Sequence, residues 1–252
     1  MMASTTRRNG LRPISAALLL LLVWAGAARL YPPVILPGPI ETLQALAALV
    51  AEGALWEPLK RTIARFAAGF ALAFLLGAGL GVAAGWRDSV QAYIRPAISL
   101  LQAVPPVSWM LLAIMWLGTN GGAQVLIVTI ALVPVFFFNT VEGVRQAPRE
   151  LLEMAAVYQV GTGKRIAGIY MPALKPFWSA AVMVNLGMGW KTVVMAELIS
   201  GHTGIGASMN TARIYLEMPD VMAWTLVIAL LGLSMEQIAR KLLHRKEPAA
   251  AD

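Results

Sequence analysis

The chain has 252 residues, 58% of them hydrophobic and only 13% charged, with a mean hydropathy of +0.69. Soluble domains carry about 25% charged residues, so this composition excludes a free-standing water-soluble enzyme, and the formal charge of +7 reads as basic loops facing a cytoplasm rather than as a nucleic-acid surface. The absence of cysteine excludes disulfides, thiol catalysis and cysteine metal sites.

A membrane crossing needs about 20 apolar residues, and six runs meet that need, at about 14–31, 61–86, 97–118, 124–145, 173–197 and 220–240. The first, ISAALLLLLVWAGAARLY, follows the basic TTRRNGL and stops at Pro32-Pro33, which cannot continue a helix. A cleaved export signal is the competing reading, given the small residues Ala25-Gly26-Ala27; the run is long for a signal core, which favours an uncleaved span. Residues 37–57 fit a short amphipathic helix outside the membrane, with Pro39 near its start.

The second span carries Gly69, Ala73, Gly77, Gly81 and Gly85 at steps of four, which places them on one helix face. In lipid such a strip lets a neighbouring backbone approach and pack by van der Waals contact. Pro105-Pro106 interrupts the third span, and the fourth carries Pro134 and the run Phe136, Phe137, Phe138.

In the fifth span Lys191 is the most expensive residue of the chain, since a central Lys costs on the order of 2.5–3.5 kcal/mol on insertion scales. Two readings stand: it borders a wet pathway and attracts an anion, or its stem snorkels toward the outer surface. Asn139 and Asn185 are further pathway candidates, with an interhelical hydrogen bond as the competing role. Glu197 is the remaining candidate, a counter-ion placed on a different helix face from Lys191. The only histidines, His202 and His244, assemble neither a metal cluster nor a catalytic triad, and Glu217 with Asp220 reads as a solvated helix start. Neither an enzyme nor a cofactor or metal site is expected.

Orientation follows from the basic residues. With the N-terminus inside, cytoplasmic segments hold Arg7, Arg8, Arg12, Arg87, Arg95, Arg145, Arg149, Lys164, Arg165, Lys175, Arg240, Lys241, Arg245 and Lys246, most of the 20 Lys plus Arg. Both termini are therefore expected inside, with a tail at 1–13, one transmembrane domain at 14–246 and a frayed tail at 247–252.

This orientation puts residues 146–172 in the cytoplasm. VGTGKR within them is not a phosphate-binding loop, because Tyr158 replaces the first glycine and Arg165 follows Lys164. Pro148 suits a helix start, Arg149 to Gln159 are mostly helix formers, and Gly161 supplies a stop. A second short helix is expected from Lys164 to Tyr170, ending at Pro172. Leu151, Leu152, Ala155, Ala156 and Gln159 share one face of the first helix, a small-residue surface suited to another protein's groove or, on the competing reading, to the lipid surface.

This order of Glu, two alanines, a glycine turn, Ile and Pro resembles the EAA loop of ATP-binding cassette importer permeases. LLQAVPPVSWMLLAIMWLG, VFFFNTVEGVRQAPRELLE, GWKTVVMAELI and GIGASMNTARIYLEMPDVMAWTLVIALLG resemble the nitrate, taurine and aliphatic-sulfonate branch, so about 60–240 is family-like. The resemblance implies an all-α type I importer permease in a bacterial inner membrane, a permease homodimer, two cytoplasmic ATPase subunits and an external substrate-binding protein. It implies ATPase coupling through Glu153, Ala155, Ala156, Gly161, Ile169 and Pro172. Two alignments are open: anchored on Glu153 and Pro172, Gln159 stands at the family's glycine; anchored on the alanine pair, Val160 does. The rival class is an ion-gradient-driven secondary transporter or channel, which needs intramembrane carboxylates and has only Glu197 as a candidate.

Overall fold

The computed structural model describes residues 8–244; the expected tails, 1–7 of the first and 247–252 of the last, together with Arg245 and Lys246, lie outside the described residues. Within that range every regular element is a helix, in the order α1 (Arg8–Ala28), α2 (Pro39–Ala51), α3 (Trp56–Trp86), α4 (Asp88–Ala103), α5 (Pro106–Leu117), α6 (Gly122–Arg145), α7 (Arg149–Val157), α8 (Thr162–Arg165), α9 (Met171–Ser200), α10 (Ile205–Ile214) and α11 (Met218–His244).

Four helices are long and apolar enough to cross a membrane, Trp56–Trp86, Gly122–Arg145, Thr162–Ser200 and Met218–Lys241, and the bent pair α4 and α5 makes a fifth when its two halves are counted as one broken span. The first of the six expected spans is helical, within α1. Leu18 to Val23 are exposed along it, as befits a helix surrounded by lipid. The amphipathic helix expected at 37–57 is α2, with Pro39 in its first turn and the Glu41 carboxylate accepting from the Gly38 N–H at 2.9 Å.

The third expected span is not straight. Its two halves meet at 97°. A residue before proline is pushed out of the α region, and here two successive residues obey that rule: Val104 before Pro105 and Pro105 before Pro106 both take extended ψ angles, 128° and 138°. Two extended residues in a row turn the helix axis rather than merely kinking it.

The glycine strip of α3 sets the core. A Cβ on Gly69 would lie 2.7 Å from Cβ of Val128, on Gly77 2.6 Å from that of Phe136, on Gly81 2.6 Å from that of Thr140 and on Gly85 2.6 Å from that of Val144. Both series rise together, so α3 and α6 run parallel at a separation only glycine permits. A parallel pair requires a return crossing between its members, and the bent α4–α5 segment supplies it. Helix α9 runs antiparallel to α6: Gly143 faces Leu174 and Phe177 at one end, and Gln124 reaches Ser200 at the other. Phe66, Phe70, Phe74, Phe136, Trp178 and Trp190 interlock along this seam through edge-to-face contacts.

Candidate functional site

Helix α7 begins after Pro148 and ends at Val157, two residues before the Gln159 end read from the sequence. Its carbonyls are capped by a Schellman motif, in which the Gln159 N–H donates to Ala156 O at 3.1 Å and the Val160 N–H to Ala155 O at 2.9 Å. That motif needs a left-handed residue, and the residue that supplies it is Gln159, at φ +50°. Gly161, expected to make the turn, has φ −62° and ψ 150°, an ordinary extended geometry that opens α8. The physical reason is spacing: the left-handed position falls directly after the Tyr158 cap, whatever glycine lies downstream.

The second half of the loop also departs from expectation. Pro172 does not end a helix. A π-helical turn at Ile166–Tyr170 widens the backbone just before it, the Met171 N–H bonding back to Ile166 O, and the helix continues without interruption to Ser200. The wider turn makes room for the proline ring, which would otherwise press on a carbonyl of the preceding turn. Arg165 then ties the two halves together, donating from Nε to Val160 O at 2.7 Å and from Nη2 to Ala155 O at 3.0 Å.

Ala155 is consequently buried beneath Arg165, while Glu153, Ala156, Gly161 and Pro172 are exposed and Ile169 is half-buried. The outward surface of α7 is not made of small residues alone: Leu151, Met154, Val157 and Tyr158 are all exposed along it. Large apolar groups left uncovered by the chain, on a helix standing between two crossings, suit a surface that docks on a partner or on lipid.

The four intramembrane candidates stand in four different environments. Asn139 satisfies its own helix, donating to Val135 O at 2.8 Å. Asn185 is fully buried between α6 and α9 and donates to Leu132 O at 3.3 Å, with its Oδ1 unpartnered. Lys191 lines a cavity of about 240 Å³ bounded by Pro106, Val107 and Met110 of α5, Ile127 of α6, and Thr192, Met195, Ala196 and Ile199 of α9. No ion pair to Lys191 exists among the described residues.

Glu197 is placed elsewhere, away from that cavity and from Lys191. It is fully buried, with its Oε1 accepting from Arg65 Nη1 at 2.7 Å and its Oε2 accepting from Thr62 Oγ1 at 2.7 Å and from the Gly206 N–H at 3.2 Å. Arg65 also donates through Nη2 to Thr203 Oγ1 at 2.7 Å, so the pair anchors the segment between α9 and α10 to α3. Gly204, at φ +110°, permits the approach, since a Cβ there would overlap Glu197 Oε1. Among the described residues no three His, Cys, Asp or Glu side chains are grouped to hold a metal ion.

Residues 69–247 match the family described as binding-protein-dependent transport system inner membrane component. The chain belongs to this family. The permease is 30% identical over 205 residues to a probable ABC transporter permease protein of Brucella melitensis biotype 1, covering 81% of this chain and 83% of that protein. It is 28% identical to a putative aliphatic sulfonates transport permease protein of Bacillus subtilis (84% and 76% covered) and 26% identical to a taurine transport system permease protein of Escherichia coli (93% and 88% covered). A chain of the MetNI methionine ABC transporter, in an inward-facing form, shares the fold with a TM-score of 0.60 at 14% identity, over 75% of this permease and 94% of that chain. The protein is thus a multi-pass inner-membrane permease subunit of an ABC transporter, with the type I importer fold.

Arg65 is the residue that sequence reading passed over in the permease. It is absent from the pathway candidates drawn from the sequence, although it stands inside an apolar span, as Glu197 does. Opposite charges in two crossings, each too costly to leave alone in lipid, were the available signal.

Proposed function

We propose that the permease, paired with a second copy as a homodimer, forms the translocation pathway of an importer and is driven by two cytoplasmic ATPase subunits seated on the loop 146–172. An external substrate-binding protein delivers the cargo, and both termini lie inside. The cargo is a small anion such as nitrate, taurine or an aliphatic sulfonate. Relatives named for sulfonates and taurine support that class, as does Lys191 on a cavity wall with no counter-ion.

The observation that carries the coupling role is the outward ridge Leu151, Met154, Val157 and Tyr158 on α7, a helix held rigid by Arg165. A rigid knob transmits the closure of an ATP-bound partner as motion of the helices it joins, here α6 and the continuous Thr162–Ser200. Glu153, Ala155, Ala156, Gly161, Ile169 and Pro172 make up the coupling segment, with Ala155 acting from beneath. A gradient-driven mechanism would need a free intramembrane carboxylate; its one candidate, Glu197, is engaged by Arg65.

The test is Glu153→Lys in membranes containing the co-expressed ATPase. The variant inserts and folds, while transport-coupled ATP hydrolysis is lost. Hydrolysis unchanged from the parent protein would remove the loop from the mechanism.

A further inference from the structure

The cavity between α5 and α9 combines one cation with walls that are otherwise almost wholly apolar, among them Met110, Ile127, Met195 and Ile199. Thr192 adds little polarity, because its hydroxyl already donates to Met188 O at 2.9 Å. Lys191 is left as the one free donor, on a helix whose only carboxylate, Glu197, is held by Arg65. We infer that this cavity is a specificity pocket for an organic monoanion bearing a short aliphatic chain, its head on Lys191 and its chain along Met110, Ile127, Met195 and Ile199.

The inference rests on the reading that the permease conducts an anion, and it chooses among the anions that reading allows. Nitrate has no carbon surface to bury and would lose hydration against these walls without compensation. A zwitterion such as taurine would bring an ammonium group beside Lys191, and the buried carboxylate that might receive it, Glu197, is held by Arg65. An alkyl chain meets neither obstacle. At about 240 Å³ the cavity is smaller than the roughly 300–1,000 Å³ of pockets for drug-sized ligands, which fits a compact molecule.

The experiment measures site-resolved acylation of Lys191 by mass spectrometry, on the permease with its co-purified partners in phosphatidylcholine nanodiscs. The probes are methane-, butane- and hexanesulfonate, nitrate, and hexanol as the uncharged control. Protection of Lys191 is expected to strengthen about fourfold per added methylene, equivalent to about 0.8 kcal/mol, with none from nitrate or hexanol. Met195→Gln, a change at a half-exposed wall position, flattens that dependence.

Equal protection by all three sulfonates, or protection by nitrate, overturns the inference. So does a Lys191 that is unreactive without any probe, the result of a second copy covering it. Addition of phosphatidylglycerol supplies the last arm: protection that hexanesulfonate cannot displace makes the cavity a lipid-headgroup site instead. Failure in any of these arms, with Glu153→Lys still uncoupling ATP hydrolysis, leaves the importer reading standing and removes only the specificity pocket.

Discussion

Arg65 and Glu197 stand 132 positions apart in the chain and meet at 2.7 Å inside the membrane-spanning core. Their partners, Thr62, Thr203 and the Gly206 N–H, satisfy most of what the two charged groups can donate or accept. A buried pair of this kind contributes little net stability over an apolar pair of the same volume, but removing one member strands the other. Its evident service is positional, since it fixes where α10 begins relative to α3.

Arg65→Met and Glu197→Gln are each expected to cost about 3–5 kcal/mol by leaving a charge or its hydrogen-bond partners uncompensated. The double variant Arg65→Met with Glu197→Met is expected to recover much of that loss. Thermal unfolding followed by size-exclusion of the detergent-solubilised permease gives the comparison. A double variant no more stable than either single one would mean that packing volume, rather than charge pairing, dominates at this site.

The parallel contact between α3 and α6 yields a prediction with an internal control. Gly77 has no room for a side chain, with Phe136 Cβ and Val133 O both within 2.8 Å of where its Cβ would sit. Gly79, on the opposite side of the same helix, has nothing within 4 Å. Gly77→Leu should therefore lose folded protein, since even ordinary overpacking costs about 1–3 kcal/mol and here the backbone itself is in the way. Gly79→Leu should be recovered at parental yield. Equal tolerance of both substitutions would separate the helices by more than the structure shows.

These elements also show where sequence reading succeeds and where it stops. The strip Gly69 to Gly85 was legible because a missing side chain repeated every four residues has one geometric consequence, close approach on one face. Pro105-Pro106 announced an interruption, yet the 97° turn depends on two consecutive extended residues, which a span count does not resolve. The Arg65–Glu197 bond was missed for a different reason: a charge inside an apolar span signals a cost, but the residue that meets that cost lies in an element far along the chain. The lone Lys191 was legible as a cost, and its cavity only as a possibility, because α5 reaches it through the very bend that was missed.

The loop at 146–172 gives the final case. Gln159 holds a left-handed conformation, which costs a non-glycine residue about 1–2 kcal/mol, and it stands at the glycine position of the alignment anchored on Glu153 and Pro172. Gln159→Gly should relieve that strain and slow hydrogen exchange of the Val160 and Gln159-equivalent amides. Gln159→Val, β-branched at positive φ, should speed it. Arg165→Met removes both bonds to Ala155 O and Val160 O and should loosen the same amides while leaving membrane insertion intact. If rigidity is what the loop contributes, ATP hydrolysis coupled to transport falls in Gln159→Val and Arg165→Met and is retained in Gln159→Gly. Faster exchange with undiminished coupling in the first two variants would show that the partner grips the loop by its exposed Leu151, Met154, Val157 and Tyr158 side chains regardless of how firmly the turn behind them is held.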